Sequence, residues 1–192
     1  MKLKILFSIF LFYFTLLSLF HAIFFPELYS DALIYAEWAR RIFKENSLAV
    51  IEGGPSIALG LASNYPSEFQ LLGAFTYFFT GENIANLKIL SLVSFLLLAI
   101  LVYKWSKEVF KDFRLSLLSL ILLSSLPAMV TFSRTSSHYM FLTLQFALAA
   151  YFLYKFNKEK EGKFLIYSAV FGSVAALTSY LGLLYLPLLL LC

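Results

Sequence analysis

Charges are sparse along this chain, and the apolar runs between them have the lengths of membrane-crossing helices. Ile5–Phe25 holds 21 residues without a charge and follows Lys2 and Lys4. It is longer than a signal-peptide core, and His21-Ala22-Ile23-Phe24-Phe25-Pro26 offers no small-residue cleavage site, so it predicts an uncleaved first span. Pro26 ends it, because proline cannot continue the helical hydrogen-bond ladder. Ile89–Tyr103, Leu115–Phe132 and Tyr139–Tyr154 are also uncharged. With its flanks each reaches about 20 residues, enough for a hydrocarbon core about 30 Å thick. The last uncharged run, Phe164–Cys192, has 29 residues. At about 1.5 Å per residue it extends roughly 43 Å, too long for one span and too short for two. Thr178-Ser179-Tyr180-Leu181-Gly182 and Pro187 predict a span, a tight turn and a second span that stops early. The pattern predicts an all-α, polytopic helical membrane protein of about six spans.

Pro66–Thr80 is apolar but short, and charge placement decides its state. If it does not cross, ten basic residues face the cytoplasm and five face outward; if it does, the split becomes four and eleven. The positive-inside rule selects the first arrangement. Pro66–Thr80 is then an amphipathic or re-entrant helix at the outer interface, within a long first outer loop of about 26–85. The N-terminus is cytoplasmic, inner loops lie at 104–114 and 155–163, and short outer turns lie at 131–138 and near 178–182. Earlier in the outer loop, Ser30–Asn46 has helical period. Glu37, Arg40, Arg41 and Lys44 share one face, with Glu37 and Arg41 a favourable i,i+4 pair. Ile34, Tyr35, Trp38 and Ile42 share the opposite face, and Asp31 falls with them.

Composition narrows the class further. Apolar residues make up 61% of the 192 and charged residues 14%, against about 25% charged in a soluble domain. A soluble domain, a disordered chain and a collagen-like chain are all excluded. Cys192 is the single cysteine, so a disulfide scaffold is excluded too. The net charge of +4 does not point to nucleic acid; in a membrane chain the distribution of basic residues carries the information.

The candidate chemistry lies in the outer loops. Asp31 sits on an apolar face, where a carboxylate is expensive without a role or partner. It is either a functional carboxylate or, with Ser30, a helix cap. Glu68 is either a substrate or metal ligand or a helix-start charge favoured by the dipole. Glu52-Gly53-Gly54-Pro55 marks a turn between them. Arg134, in Ser133-Arg134-Thr135-Ser136-Ser137-His138-Tyr139, is either a bidentate ligand for a lipid phosphate or an interface anchor. His138 stands i,i+4 from Arg134 if the segment is helical; a lone histidine, like His21, is more often structural. The basic clusters at Lys104–Arg114 and Lys155–Lys163 read as topology anchors on a solvated face.

Ser30-Asp31-Ala32-Leu33-Ile34-Tyr35-Ala36-Glu37-Trp38-Ala39 after a first span, then Asn64-Tyr65-Pro66-Ser67-Glu68-Phe69, a short apolar helix ending in Gly81-Glu82, and Ser133-Arg134 at a later outer turn form an ordered set. This order resembles the N-terminal half of the GT-C glycosyltransferases, above all the protein O-mannosyltransferase and lipid A aminoarabinose transferase group. The resemblance covers most of the chain and implies the N-terminal portion of a larger GT-C fold. It implies a sugar taken from a polyprenyl-phosphate donor at the outer membrane face, with a membrane lipid as carrier. Asp31 matches the acidic residue implicated in catalysis, as general base or acceptor-orienting group. Tyr65-Pro66 matches a segment that in many members carries a basic residue and two prolines. His138 stands where many members have an acidic residue. Arg134, then Lys88, would stabilise the lipid phosphate. The aromatics of Pro66–Thr80 would line the lipid's route. Some relatives use a divalent ion, and no strong metal-ligand spacing occurs here.

Three functional classes compete. The first is a GT-C transferase or its front portion. The second is a non-catalytic or degenerate membrane subunit that binds lipid or a partner transferase, with a partner chain supplying further spans. The third is a transporter, disfavoured because the spans carry few polar groups near the bilayer midplane. Asp31 discriminates the first two, since only an enzyme needs its carboxylate for transfer.

Overall fold

The computed structural model describes residues 2–24, 30–45 and 68–179. These residues form eight helices and, among themselves, no strand: α1 Lys2–Phe24, α2 Ser30–Glu45, α3 Glu68–Thr80, α4 Ile84–Phe110, α5 Phe113–Ser125, α6 Pro127–Phe132, α7 His138–Glu159 and α8 Gly162–Thr178. The turn expected at 52–55, Tyr65-Pro66, and the expected final span after Ser179 lie outside the described residues.

Side-chain chemistry sets the helix ends. Asn83 caps α4, accepting from the Ala85 N–H at 2.9 Å. Asp112 caps α5 by accepting from Arg114 N–H at 2.7 Å, and Ser137 caps α7 by accepting from Tyr139 N–H at 3.3 Å. Such caps satisfy amides that the helix itself leaves unpaired. α4 and α7 are long and apolar enough to cross a membrane. The apolar stretches Phe12–His21, Phe113–Ser125 and Gly162–Thr178 are shorter. The bundle exposes Phe12, Leu16, Leu97, Ile100, Leu122 and Ile166 on its outside. A continuous apolar exterior of that kind suits a bilayer and not water.

The chain runs up and down. Ser91 meets Ser137 near the start of both α4 and α7, and Trp105 meets Tyr154 near their ends. α8 returns antiparallel to α7, with the Ser168 hydroxyl donating to Ala149 O at 2.7 Å. Phe14 of α1 packs on Phe95 of α4, in one core with Leu92, Leu98, Met140 and Leu144. A second core joins α2, α3 and α4 through Trp38, Ala39, Phe69, Tyr77 and Leu87. Gly73 makes that approach possible: a Cβ there would stand 2.4 Å from Leu87 Cδ2 and 3.1 Å from Ala39 Cβ.

Two expectations change. The uninterrupted helix over Leu115–Phe132 is broken, because Pro127 forces Leu126 into an extended conformation (ψ 122°) and starts a new helix as its first residue. The inner loops are far shorter than expected. α4 and α7 continue through their lysines, and only Lys111-Asp112 and Lys160-Glu161 connect them onward. Of the segment at 66–80, the described residues Glu68–Thr80 form a helix, α3, packed on α2.

Candidate functional site

The turn at 133–137 is drawn into the bundle. Ser91 lies seven residues into α4, about 10 Å below its first residue, yet its hydroxyl accepts from Ser137 N–H at 3.3 Å and lies 3.2 Å from Ser137 O. Arg134 reaches α1, where its Nε is 3.4 Å from Ser18 Oγ and its guanidinium stacks 5.6 Å from the Phe14 ring centre. Ser18 stands six residues, about 9 Å, before the end of α1. The turn carries three fully buried serines, Ser133, Ser136 and Ser137. His138 follows at 5% exposure, its ring 4.1 Å from that of Tyr139.

Lys88 joins this layer from α4, with 1% of its surface exposed. It lies two turns from Phe95 on the same helix face, as His21 lies two turns from Phe14 on α1. Phe14 touches Phe95 and Ser18 meets Arg134, so His21, beyond Ser18 on α1, lies toward this end. One end of the bundle thus gathers Lys88, Arg134, His138 and His21 with the hydroxyls of Ser18, Ser91, Ser133, Ser136 and Ser137. Cations and hydroxyls in a low-dielectric layer form a donor set for an anion. Among the described residues no three His, Cys, Asp or Glu side chains converge.

The sequence candidates fall into groups. Lys88, Arg134 and His138 share this end. Arg134 and His138 do not share a helical turn, since 133–137 is a turn and α7 starts at His138. Asp31 lies in the first turn of α2 and Glu68 opens α3; their side chains, like the whole of Tyr65, lie outside the described residues. Ser18 and Ser91 are not among the sequence candidates; their signal is a small hydroxyl set in an otherwise apolar run.

α2 and α3 are pinned beside this end. Glu37 accepts from Arg40 at 2.7 and 2.8 Å and from Arg41 at 2.9 Å. Those bonds hold its carboxyl down at about 2. Lys44 pairs with Glu82 at 3.2 Å, tying α2 to the turn before α4. Burial pushes the Tyr77 phenol up to about 12, with Glu82 and Glu37 adding to the shift. Between α2 and α3 runs an apolar groove of about 660 Å³ lined by Ile42, Phe43, Leu71, Phe75 and Phe78.

An all-helical bundle with two membrane-length helices and an apolar exterior defines a helical membrane protein. A family model described as dolichyl-phosphate-mannose-protein mannosyltransferase matches residues 65–192, two thirds of the chain, and the chain belongs to that family, which is of the GT-C glycosyltransferase type. The matched segment holds Lys88, Arg134 and His138, and begins after Asp31. No curated protein and no solved structure matches the chain.

Proposed function

We propose that the protein is a membrane glycosyltransferase that moves a sugar from a polyprenyl-phosphate donor to an acceptor at the extracytoplasmic face. The observation that carries this reading is the layer of Lys88, Arg134 and His138 at one end of the bundle, inside the segment that matches the family. In the transfer, the acceptor's nucleophile attacks the anomeric carbon. The bond from that carbon to the phosphate oxygen breaks, and polyprenyl phosphate leaves with the electron pair. Negative charge grows on the phosphate as the bond opens, and preorganised cations stabilise it most at that moment.

Arg134 is the main phosphate ligand, since a planar guanidinium can meet two oxygens at once. Lys88 adds a point charge, and His138 and the serine hydroxyls complete the polar layer. Asp31 takes the acceptor's proton or orients its nucleophile. Tyr65, before α3, and Glu68, its first residue, contact the substrates. The apolar groove between α2 and α3 receives the isoprenoid part of the donor, which needs a hydrophobic path beside the membrane. About six spans carry this loop on the outer side, with the N-terminus cytoplasmic.

The test uses membranes holding the chain and dolichyl-phosphate-mannose, with release of dolichyl phosphate as the readout. Asp31→Asn is expected to lower release by about 100-fold or more while the protein accumulates in the membrane as before. Release at the parent rate from Asp31→Asn would contradict the assignment.

A further inference from the structure

The opposite end of the bundle holds the basic clusters that the transfer chemistry leaves unused. α4 and α7 finish side by side there. Trp105 packs against the rings of Tyr151 and Tyr154, each 5.9 Å away, and Tyr151 donates to Glu108 at 2.8 Å. The carboxylates at this end are already engaged. Lys155 pairs with Glu108 and Glu159, Lys163 pairs with Glu161, and Asp112 caps α5. Among the described residues, Lys104, Lys107, Lys111, Arg114, Lys158 and Lys160 form no ion pair. Lys104, Lys107 and Lys111 are exposed at spacings of three and four along one face of α4.

The backbone adds an independent observation. Lys111 (φ 54°) and Lys160 (φ 58°) are the two non-glycine residues with positive φ among those described. Each is the C-cap of its helix, its N–H bonded four residues back, to Lys107 O and Phe156 O. Glycine adopts this conformation without strain, and a side chain does not. The favourable helix dipole does not require the strained position, because a lysine one turn earlier gains the same attraction. Two neighbouring helix ends therefore hold a lysine at the one position where its side chain costs backbone energy.

We infer that the joined ends of α4 and α7 bind the headgroup of an anionic phospholipid, held by Lys111 and Lys160 with Lys107 and Lys158 beside them. The surface is cationic while its acids are engaged, and anionic leaflets attract such clusters. Trp105, Tyr151 and Tyr154 supply the aromatic belt found at headgroup depth. Val109 and Phe110 are exposed beside Lys111, where they meet the acyl chains. The inference does not depend on the transfer chemistry.

The test uses the full chain in detergent, titrated with dioleoylphosphatidylglycerol, dioleoylphosphatidylcholine or inorganic phosphate. Thermal unfolding and retained lipid adducts in native mass spectrometry are the readouts. Phosphatidylglycerol is expected to raise the unfolding temperature and remain bound, with no comparable effect from the other two. Lys111→Gln with Lys160→Gln should weaken that binding about tenfold or more. Lys111→Gly with Lys160→Gly relieves the backbone, so it should hold or raise the lipid-free unfolding temperature and still lose the phosphatidylglycerol response. An equal effect from phosphatidylcholine or phosphate would overturn the inference. So would a glycine variant that keeps the full response.

Discussion

Arg134 sits half-buried between a hydroxyl and an aromatic face, with Ser18 and Phe14 as its described neighbours. Neither can neutralise it, so its charge is available to an incoming anion. Arg134→Lys keeps the charge but loses the planar fork, so its dolichyl-phosphate release should fall to a value between those of Arg134→Ala and the parent. A Lys variant no better than Ala would show that geometry, not charge, sets the site. Glu37 behaves differently. Its bonds to Arg40 and Arg41 keep it ionised down to about pH 2 in the fold, against the ordinary 4.5. Its contribution is present in full above pH 4.5 and is lost as the pH falls from there through 2. The group is partly exposed, so Glu37→Gln should cost about 1 kcal/mol or less at pH 7. The difference between variant and parent should close at pH 2, measured by thermal unfolding in detergent. The Glu37–Arg41 pair was legible in the sequence from spacing alone. The Ser91–Ser137 and Arg134–Ser18 contacts were not, because they join residues 46 and 116 positions apart.

The most constrained meeting of elements is that of α2, α3 and α4. Gly73 lets α3 lie close on Leu87 and Ala39, and a methyl group there would force the buried Leu87 side chain to shift. Gly73→Ala should destabilise the chain by about 1–3 kcal/mol through overpacking, read as a lowered unfolding temperature. An unchanged value would mean that α3 is not seated on α4 as described. Apolar periodicity and Pro66 foretold a short helix within the long first loop, and α3 matches that outline over Glu68–Thr80. Periodicity did not foretell its packing partner, since an apolar face does not specify what covers it. The break at Pro127 was readable from proline chemistry, but the lack of charge over Leu115–Phe132 masked it. The inner connections came out shorter than expected because charged residues ride well on exposed helix ends, so charge marked the membrane boundary and not the end of the helix.

At the scale of the whole molecule, the bundle separates two kinds of cation. Buried Lys88 and half-buried Arg134 sit with hydroxyls at one end, and exposed lysines crowd the other. With the orientation proposed from the positive-inside rule, the lysine-rich end would face the cytoplasm. With Cys192 replaced by Ser, a cysteine at Lys107 should be protected from a membrane-impermeant maleimide in intact cells, and one at Gly81 should react. The reverse pattern would invert the orientation. The membrane class was plain in the sequence because composition and run length suffice for it. The layer of cations and hydroxyls was legible only as separate residues, since nothing in the linear order says that a turn at 133–137 sinks to the level of Ser18 and Ser91. The claim that this layer holds the donor's phosphate is tested most directly by the affinity of the detergent-solubilised chain for dolichyl phosphate. Arg134→Ala should weaken that affinity by about ten- to a hundredfold, the worth of a charge-assisted contact, while Lys104→Ala at the far end leaves it unchanged. Equal affinity in the parent and Arg134→Ala would contradict the account.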